Sequence, residues 1–270
     1  MITLPAQAVS SSLRLQGEYS LLSIHDKAIN LINEDGVLFS LHPNVHYMSS
    51  FGLTLRRDDY DFVKSLFHTI TDVIVDISGT IKVGHVSIIP AVRKLTLAVK
   101  KNSELCCVPS CFFLPEKGNN GFGYTNHVML KETLPPIDKL VEFLQKPNVM
   151  TAKCVVDKIG TGQGLTPSFD DALVGVLAVI YLSGKEDKYI PMIIEALQQI
   201  DINMQTTSIS KSFIEDAVKG DVSYPLYRLI LAFNKDINRK QFEINQFIKH
   251  GHTSGLDTLL GIGLAFEYIQ

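Results

Sequence analysis

The 270-residue sequence contains no block of basic residues and no long apolar run. Its 25 basic and 28 acidic residues give a net charge of −3, so nothing favours binding to a nucleic-acid backbone. The longest apolar helix candidate, residues 172–182, is far too short to span a bilayer. Residues 1–20 lack the basic and apolar regions of a signal peptide. We therefore expect a cytoplasmic protein that binds neither nucleic acid nor membrane.

Several common catalytic motifs are also missing. The stretch GTGQGLTPS at residues 160–168 has no lysine where a P-loop requires one, and no G-x-S-x-G elbow occurs. The stretch also lacks the strand and helix spacing of a dinucleotide-binding motif, which argues against NAD. Chemistry that depends on orientation and charge stabilisation remains.

Neither cysteine nor histidine has a spacing that indicates a metal site. Three of the four cysteines crowd into the apolar segment LCCVPSCFFL at residues 105–114, and we interpret them as buried thiols. His42 and His46 have the spacing of a helical metal pair, but Pro43 and Asn44 between them indicate a loop. No protein metal site is predicted.

The first half of the sequence favours strands. Residues 28–42 (AINLINEDGVLFSLH) form a hairpin candidate in which Asp35 and Gly36 turn the chain between two alternating runs. A helix is predicted from Asp58 to Thr69, where apolar residues fall on one face. The remaining strand candidates are FGLTL, TDVIVDIS, HVSIIP and KLTLAV, and the Gly- and Asn-rich residues 115–128 are predicted to form a loop.

From Pro135 onward, apolar residues recur three and four positions apart, which indicates eight short helices. The predicted fold class is α+β, with a strand-rich N-terminal half, barrel-like or an open sheet, and a compact helical C-terminal half. The two prolines of ETLPP give the most natural division. It separates a β-rich domain of residues 1–133 from a helical domain of residues 134–270, which carries the Gly, Ser, Thr and Asp motifs.

Two of the predicted helices begin with the same pattern, S-x-x-D-x-L-x-G, at residues 168–175 and 254–261. In each, we expect the Ser to be the N-cap and the Asp three residues later to be its capping-box partner. A glycine-rich segment precedes each of the two helices. Two such starts facing one another would bind a small dianion, because unpaired N–H groups and the helix dipole favour negative charge. Ordinary capping boxes on two packed core helices remain the alternative.

Charged residues near these starts are candidates for chemistry. If Asp171 is a capping partner, Asp170 is free to bind Mg²⁺ or a substrate N–H, or only to favour the helix dipole. His252, and to a lesser extent His250, can donate to an anion or act as an acid or base near neutral pH. Lys211 can supply mobile positive charge. Mg²⁺ is left open as a cofactor, and no other is indicated.

Three motifs together resemble a known family. They are G-x-G-x-G-L-T-P-S-x-D-D, then T-x-x-I-S with a downstream A-x-x-G, and finally G-H-T-S-G-x-D-x-L-x-G, and they cover roughly residues 155–265. In this order they are similar to the family that contains AllH, a subunit of the oxamate carbamoyltransferase of anaerobic allantoin breakdown. The N-terminal half offers nothing diagnostic.

The resemblance implies a subunit that works with companion subunits to exchange a carbamoyl group between oxalurate and phosphate, which gives oxamate and carbamoyl phosphate. Both substrates are small anions, and small anions are the class of ligand that a helix N-terminus binds well. The residues leave two alternatives open. One is a non-catalytic assembly or regulatory subunit, whose helix crossings at Gly175 and Gly261 pack against partner subunits. The other is an ATP-dependent small-molecule kinase. The candidate catalytic residues are Asp170, His252 and Lys211; the candidate anion-binding residues are Gly162, Gly164, Thr166, Ser168, Asp171, Thr253, Ser254 and Asp257.

Overall fold

The computed structural model describes residues 2–102, 118–249 and 251–269. His250 and the three cysteines of the 105–114 segment lie outside these residues. The fold is α+β, with a strand-rich N-terminal half and a helical C-terminal half, and this prediction is confirmed. One compact unit contains Met1–Leu97 with Ser223–Pro225, and the other contains Ala98–Val222 with Leu226–Gln270. This division precedes the boundary expected at residue 133.

The first unit contains a ten-stranded mixed sheet with the order β1-β9-β8-β7-β3-β4-β5-β6-β2-β10. The predicted hairpin is confirmed, because β4 and β5 pair antiparallel and Gly36 in the turn has a φ of 78°. Four strands were not predicted: β1, β2, β3 and β8. The strands are β1 Ile2–Pro5, β2 Ala8–Ser10, β3 Gly17–Ile24, β4 Ile29–Ile32, β5 Leu38–His42, β6 Gly52–Thr54, β7 Asp72–Val75, β8 Ile81–Val83, β9 Val86–Ile89 and β10 Lys94–Leu95.

The core of this unit lies against one helix, α1 (Arg57–Leu66), which confirms the helix predicted near this position. Its Tyr60 and Val63 are fully buried in the same apolar cluster as Leu31 and Leu41 of the central strands. Strand β7 alternates exposed and buried residues, as expected of a strand with one face on a core.

The second unit is helical, and all eight helices predicted there are present within a few residues. One further helix, α2, begins inside the predicted loop, because the Thr125 side chain accepts from the backbone N–H of Val128 and caps it. The helices are α2 Asn126–Glu132, α3 Asp138–Gln145, α4 Val149–Val156, α5 Ser168–Leu182, α6 Glu186–Leu197, α7 Ser208–Val218, α8 Tyr224–Ala232, α9 Ile237–Phe247 and α10 Ser254–Tyr268.

Helices α5 and α10 form the centre of this unit. Both are apolar on nearly all sides, and most of their residues are buried. A helix that is apolar all round is typical of the middle of a domain or of a membrane span. In the part of the chain that the structure describes, no helix combines the length and apolar character needed to cross a membrane.

Candidate functional site

The two helices with the repeated pattern pack directly on each other. A β-carbon at Gly175 would overlap the carbonyl oxygen of Thr258, and one at Gly261 would overlap the carbonyl oxygen of Ala172. Ala172 and Thr258 occupy the same place in the repeated pattern, as do the two glycines. The contact is therefore close to two-fold symmetric, and it places the two helix starts side by side. These glycines pack within the chain, as in the alternative of two packed core helices, and not against partner subunits as in the alternative of an assembly subunit.

The polar residues of the two helix starts interact across this helix pair. The Ser254 hydroxyl of α10 lies against Asp171 of α5, and the Ser168 hydroxyl of α5 lies against Asp257 of α10. The expected capping boxes within each helix were wrong. The N-cap positions are Pro167 and Thr253, and neither makes a side-chain cap hydrogen bond.

Asp257 is held by a loop that the sequence did not link to this site. The backbone N–H of Gly121 donates to Asp257 Oδ1 at 2.8 Å. The loop is fixed in turn by two buried amides, since Asn120 donates to Asn126 Oδ1 at 2.9 Å and Asn126 donates to the carbonyl of Leu256 at 2.7 Å. The richness of residues 118–126 in Gly and Asn was the available sequence signal, but it indicates only a loop.

Asp170 connects α5 to the start of α7. Its Oδ1 accepts from the N–H of Gly160 at 2.7 Å, and its Oδ2 accepts from the hydroxyls of Thr206 at 2.5 Å and Ser210 at 2.6 Å. Burial raises its pKa, and these three bonds oppose the rise. Asp170 is 1% exposed, so both oxygens are enclosed by protein donors.

Two other carboxylate oxygens of the site are buried. They are Oδ2 of Asp171 and Oδ2 of Asp257, and neither receives a hydrogen bond of good geometry from the residues described, although hydroxyls lie nearby. Asp171 is 8% exposed and Asp257 is fully buried. Burial raises the pKa of Asp171 well above its usual range, and the charge of Asp257 adds to the rise. Burial also raises the pKa of Asp257.

The backbone amides at the two starts differ. At α5, the N–H of Phe169 donates to the carbonyl of Thr161 at 3.0 Å. At α10, the N–H groups of Ser254, Gly255 and Leu256 have no acceptor among residues 2–102, 118–249 and 251–269. Among the described residues, the start of α10 therefore leaves more backbone donors without an acceptor than the start of α5 does.

The glycine-rich loop before α5 lies close to the helix start. Gly162 has a φ of 127°, and a β-carbon there would overlap the backbone nitrogen of Ser168. Only glycine fits this approach. Gly164 has open space around it, and the Thr166 hydroxyl lies near enough to Asp171 to lower its pKa. Residues 161–165 are exposed, so this loop borders solvent.

The two proposed cations are placed differently. Lys211 donates to Asn203 Oδ1 at 2.9 Å and lies 3.9 Å from Glu215, so its charge is already shared. His252 is exposed and lies two residues before α10. The described part of the chain contains no group of three His, Cys, Asp or Glu side chains arranged to hold a metal ion.

Fold and site together define an α+β protein in which two paired helix starts bring three buried carboxylates to one end of a helical unit. Residues 158–266 match the family described as oxamate carbamoyltransferase subunit AllH, which confirms the resemblance over this segment. No solved structure matches the chain.

Proposed function

We propose that the chain is a subunit of a carbamoyltransferase that acts on oxalurate and phosphate in anaerobic allantoin and purine nitrogen use. The observation that carries the proposal is that the site residues lie within the segment that matches the family. The matched segment, residues 158–266, contains both helix starts, all three buried carboxylates and the hydroxyls that bind Asp170. The proposal includes companion subunits, because the matching family is named as a subunit.

The reaction needs groups that orient two anions. A phosphate oxygen attacks the carbamoyl carbon of oxalurate, the bond from that carbon to the inner nitrogen breaks, and the nitrogen takes the proton of the hydrogen phosphate. The products are carbamoyl phosphate and oxamate, with no oxidant or reductant required. Catalysis of this kind depends on positioning and on stabilising the negative charge of the transition state.

The α10 start suits this task. The N–H groups of Ser254, Gly255 and Leu256 and the positive end of the helix dipole favour a phosphate or carboxylate. In the proposal, His252 lies at the entrance and neutralises substrate charge, and Thr253 is the first residue of the approach. Lys211 would serve only after leaving Asn203.

The carboxylates have separate roles in the proposal. Asp170 holds the α5 and α7 starts in place through its three bonds and thereby positions the glycine loop. Asp171, whose pKa is raised by burial, lies against the Ser254 hydroxyl and so joins the two helix starts.

Titration calorimetry tests the proposal with carbamoyl phosphate, phosphate, oxamate and MgATP added to the full chain, alone and with its companion subunits. We expect carbamoyl phosphate or oxamate to bind, and binding to weaken at least several-fold in Ser254→Ala. Ser212→Ala is the matched control, because its hydroxyl donates to the Ser208 carbonyl at 2.9 Å within α7. Binding of MgATP alone would support a kinase instead, and no binding in either form would contradict the proposal.

A further inference from the structure

We propose that Asp171 and Asp257 recognise the N–H groups of a carbamoyl or amide substrate, so that the site selects amide-bearing anions over isosteric anions that lack N–H. This inference rests on the proposed function and assigns the amide-recognition role within the same site.

Two buried oxygens of the site carry the inference. Asp171 Oδ2 and Asp257 Oδ2 are buried, and no described residue donates to either with good geometry. A buried acceptor without a donor costs free energy, so native proteins usually satisfy such atoms with protein, water or ligand. Here the two unsatisfied atoms belong to equivalent residues of the repeated pattern, on helix starts that lie side by side.

The surrounding residues narrow what the missing donor is. Asp257 Oδ1 is bound by Gly121 N–H at 2.8 Å, which fixes the side chain; the Ser168 and Thr253 hydroxyls lie near the carboxylate, but Oδ2 receives no hydrogen bond of good geometry from the described residues. The described residues provide no three-membered group of metal-ligating side chains. Both oxygens are hydrogen-bond acceptors, so an uncharged N–H donor fits them.

A primary amide supplies such donors. Its NH₂ group has two N–H bonds that can be shared between two acceptors. The backbone N–H groups of Ser254, Gly255 and Leu256 lie on the same helix start as Asp257 and have no acceptor among the described residues, so they suit a carboxylate or phosphate. Oxamate and carbamoyl phosphate each combine one NH₂ group with one anionic group, and so match both halves of this site.

Oxamate and pyruvate provide the test, because both are monoanions of the same shape and only oxamate carries NH₂. Competition titrations on the full chain, or on the assembled complex if only that form binds, should show oxamate bound at least about tenfold more tightly than pyruvate. In Asp171→Asn, which replaces an acceptor by a donor, this preference should fall several-fold or more. Asp157→Asn, an exposed position on the end of α4, is the matched control and should keep the preference.

The possible results separate the two proposals. Equal binding of oxamate and pyruvate by the wild type would overturn this inference and leave the anion site intact. A preference retained in both folded Asp171→Asn and Asp257→Asn would also overturn it. If those variants fail to fold, judged by circular dichroism, the wild-type ratio decides. Failure of the wild-type chain and complex to bind any of the anions would instead overturn the proposed function.

Discussion

Replacing Asp170 by alanine should destabilise the helical unit strongly, because this one carboxylate accepts three hydrogen bonds, one from the loop before α5 and two from the start of α7. Its donors are Gly160 N–H at 2.7 Å, the Thr206 hydroxyl at 2.5 Å and the Ser210 hydroxyl at 2.6 Å. Bonds to a charged acceptor contribute roughly 1.5–3 kcal/mol each. The alanine variant leaves these donors without their acceptor, although it also removes the cost of burying a charge. We expect a net loss of about 3 kcal/mol.

Asparagine at the same position is the informative comparison. Its carbonyl can still accept from Gly160, and its NH₂ can donate to hydroxyls that rotate to accept. We therefore expect Asp170→Asn to cost about 1 kcal/mol, clearly less than alanine. Asp157→Ala, at an exposed position, should change stability by less than about 0.5 kcal/mol.

Urea unfolding followed by far-ultraviolet circular dichroism measures all three variants, with the denaturant slope checked for each. A loss below about 1 kcal/mol in Asp170→Ala would show that these bonds do not hold the helix starts together. Equal losses for alanine and asparagine would refute the argument from individual donors.

Three further predictions concern packing and pH. Gly261→Ala should destabilise by 2 kcal/mol or more, roughly the cost of overpacking a core, because its β-carbon overlaps the Ala172 carbonyl; calorimetric melting measures it, and an unchanged melting temperature would contradict the close crossing. Burial raises the pKa of Asp171, so its contribution to stability should fall as the pH rises from the pKa of the unfolded state toward that of the folded state. Denaturation at several pH values should show a flatter pH dependence of stability in Asp171→Asn, and identical curves would contradict the assignment. Burial lowers the pKa of His42 to about 4, so stability should instead fall as pH drops from about 6.5 toward 4, an effect absent in His42→Gln.

Sequence periodicity was sufficient for the fold class and for most elements. The hairpin at residues 28–42 and the eight C-terminal helices followed from apolar spacing, because burying one face of an element imposes its period on the sequence. Strand β2 has only three residues, and a period of two cannot be recognised in so short a segment.

The repeated pattern located the candidate site but gave the wrong contacts. A Ser followed three residues later by an Asp fits a capping box within one helix, and the sequence offers no means of knowing that Asp171 faces the Ser of another helix. The bond from Gly121 to Asp257 joins residues far apart in the chain, so no local signal could reveal it.

The two helix starts are alike in sequence but differ in what they leave available. At α5, Thr161 occupies the amide of Phe169, and Gly162 lies against Ser168, so the protein covers its own helix start. At α10, three consecutive amides have no acceptor among the described residues. In a fully symmetric pair, the backbone N–H groups of both helix starts would have protein acceptors, or those of neither start would. Among the described residues only the α5 start is held in this way, so in the proposal α5 is the rigid support, through Asp170, and α10 offers backbone donors to an anion.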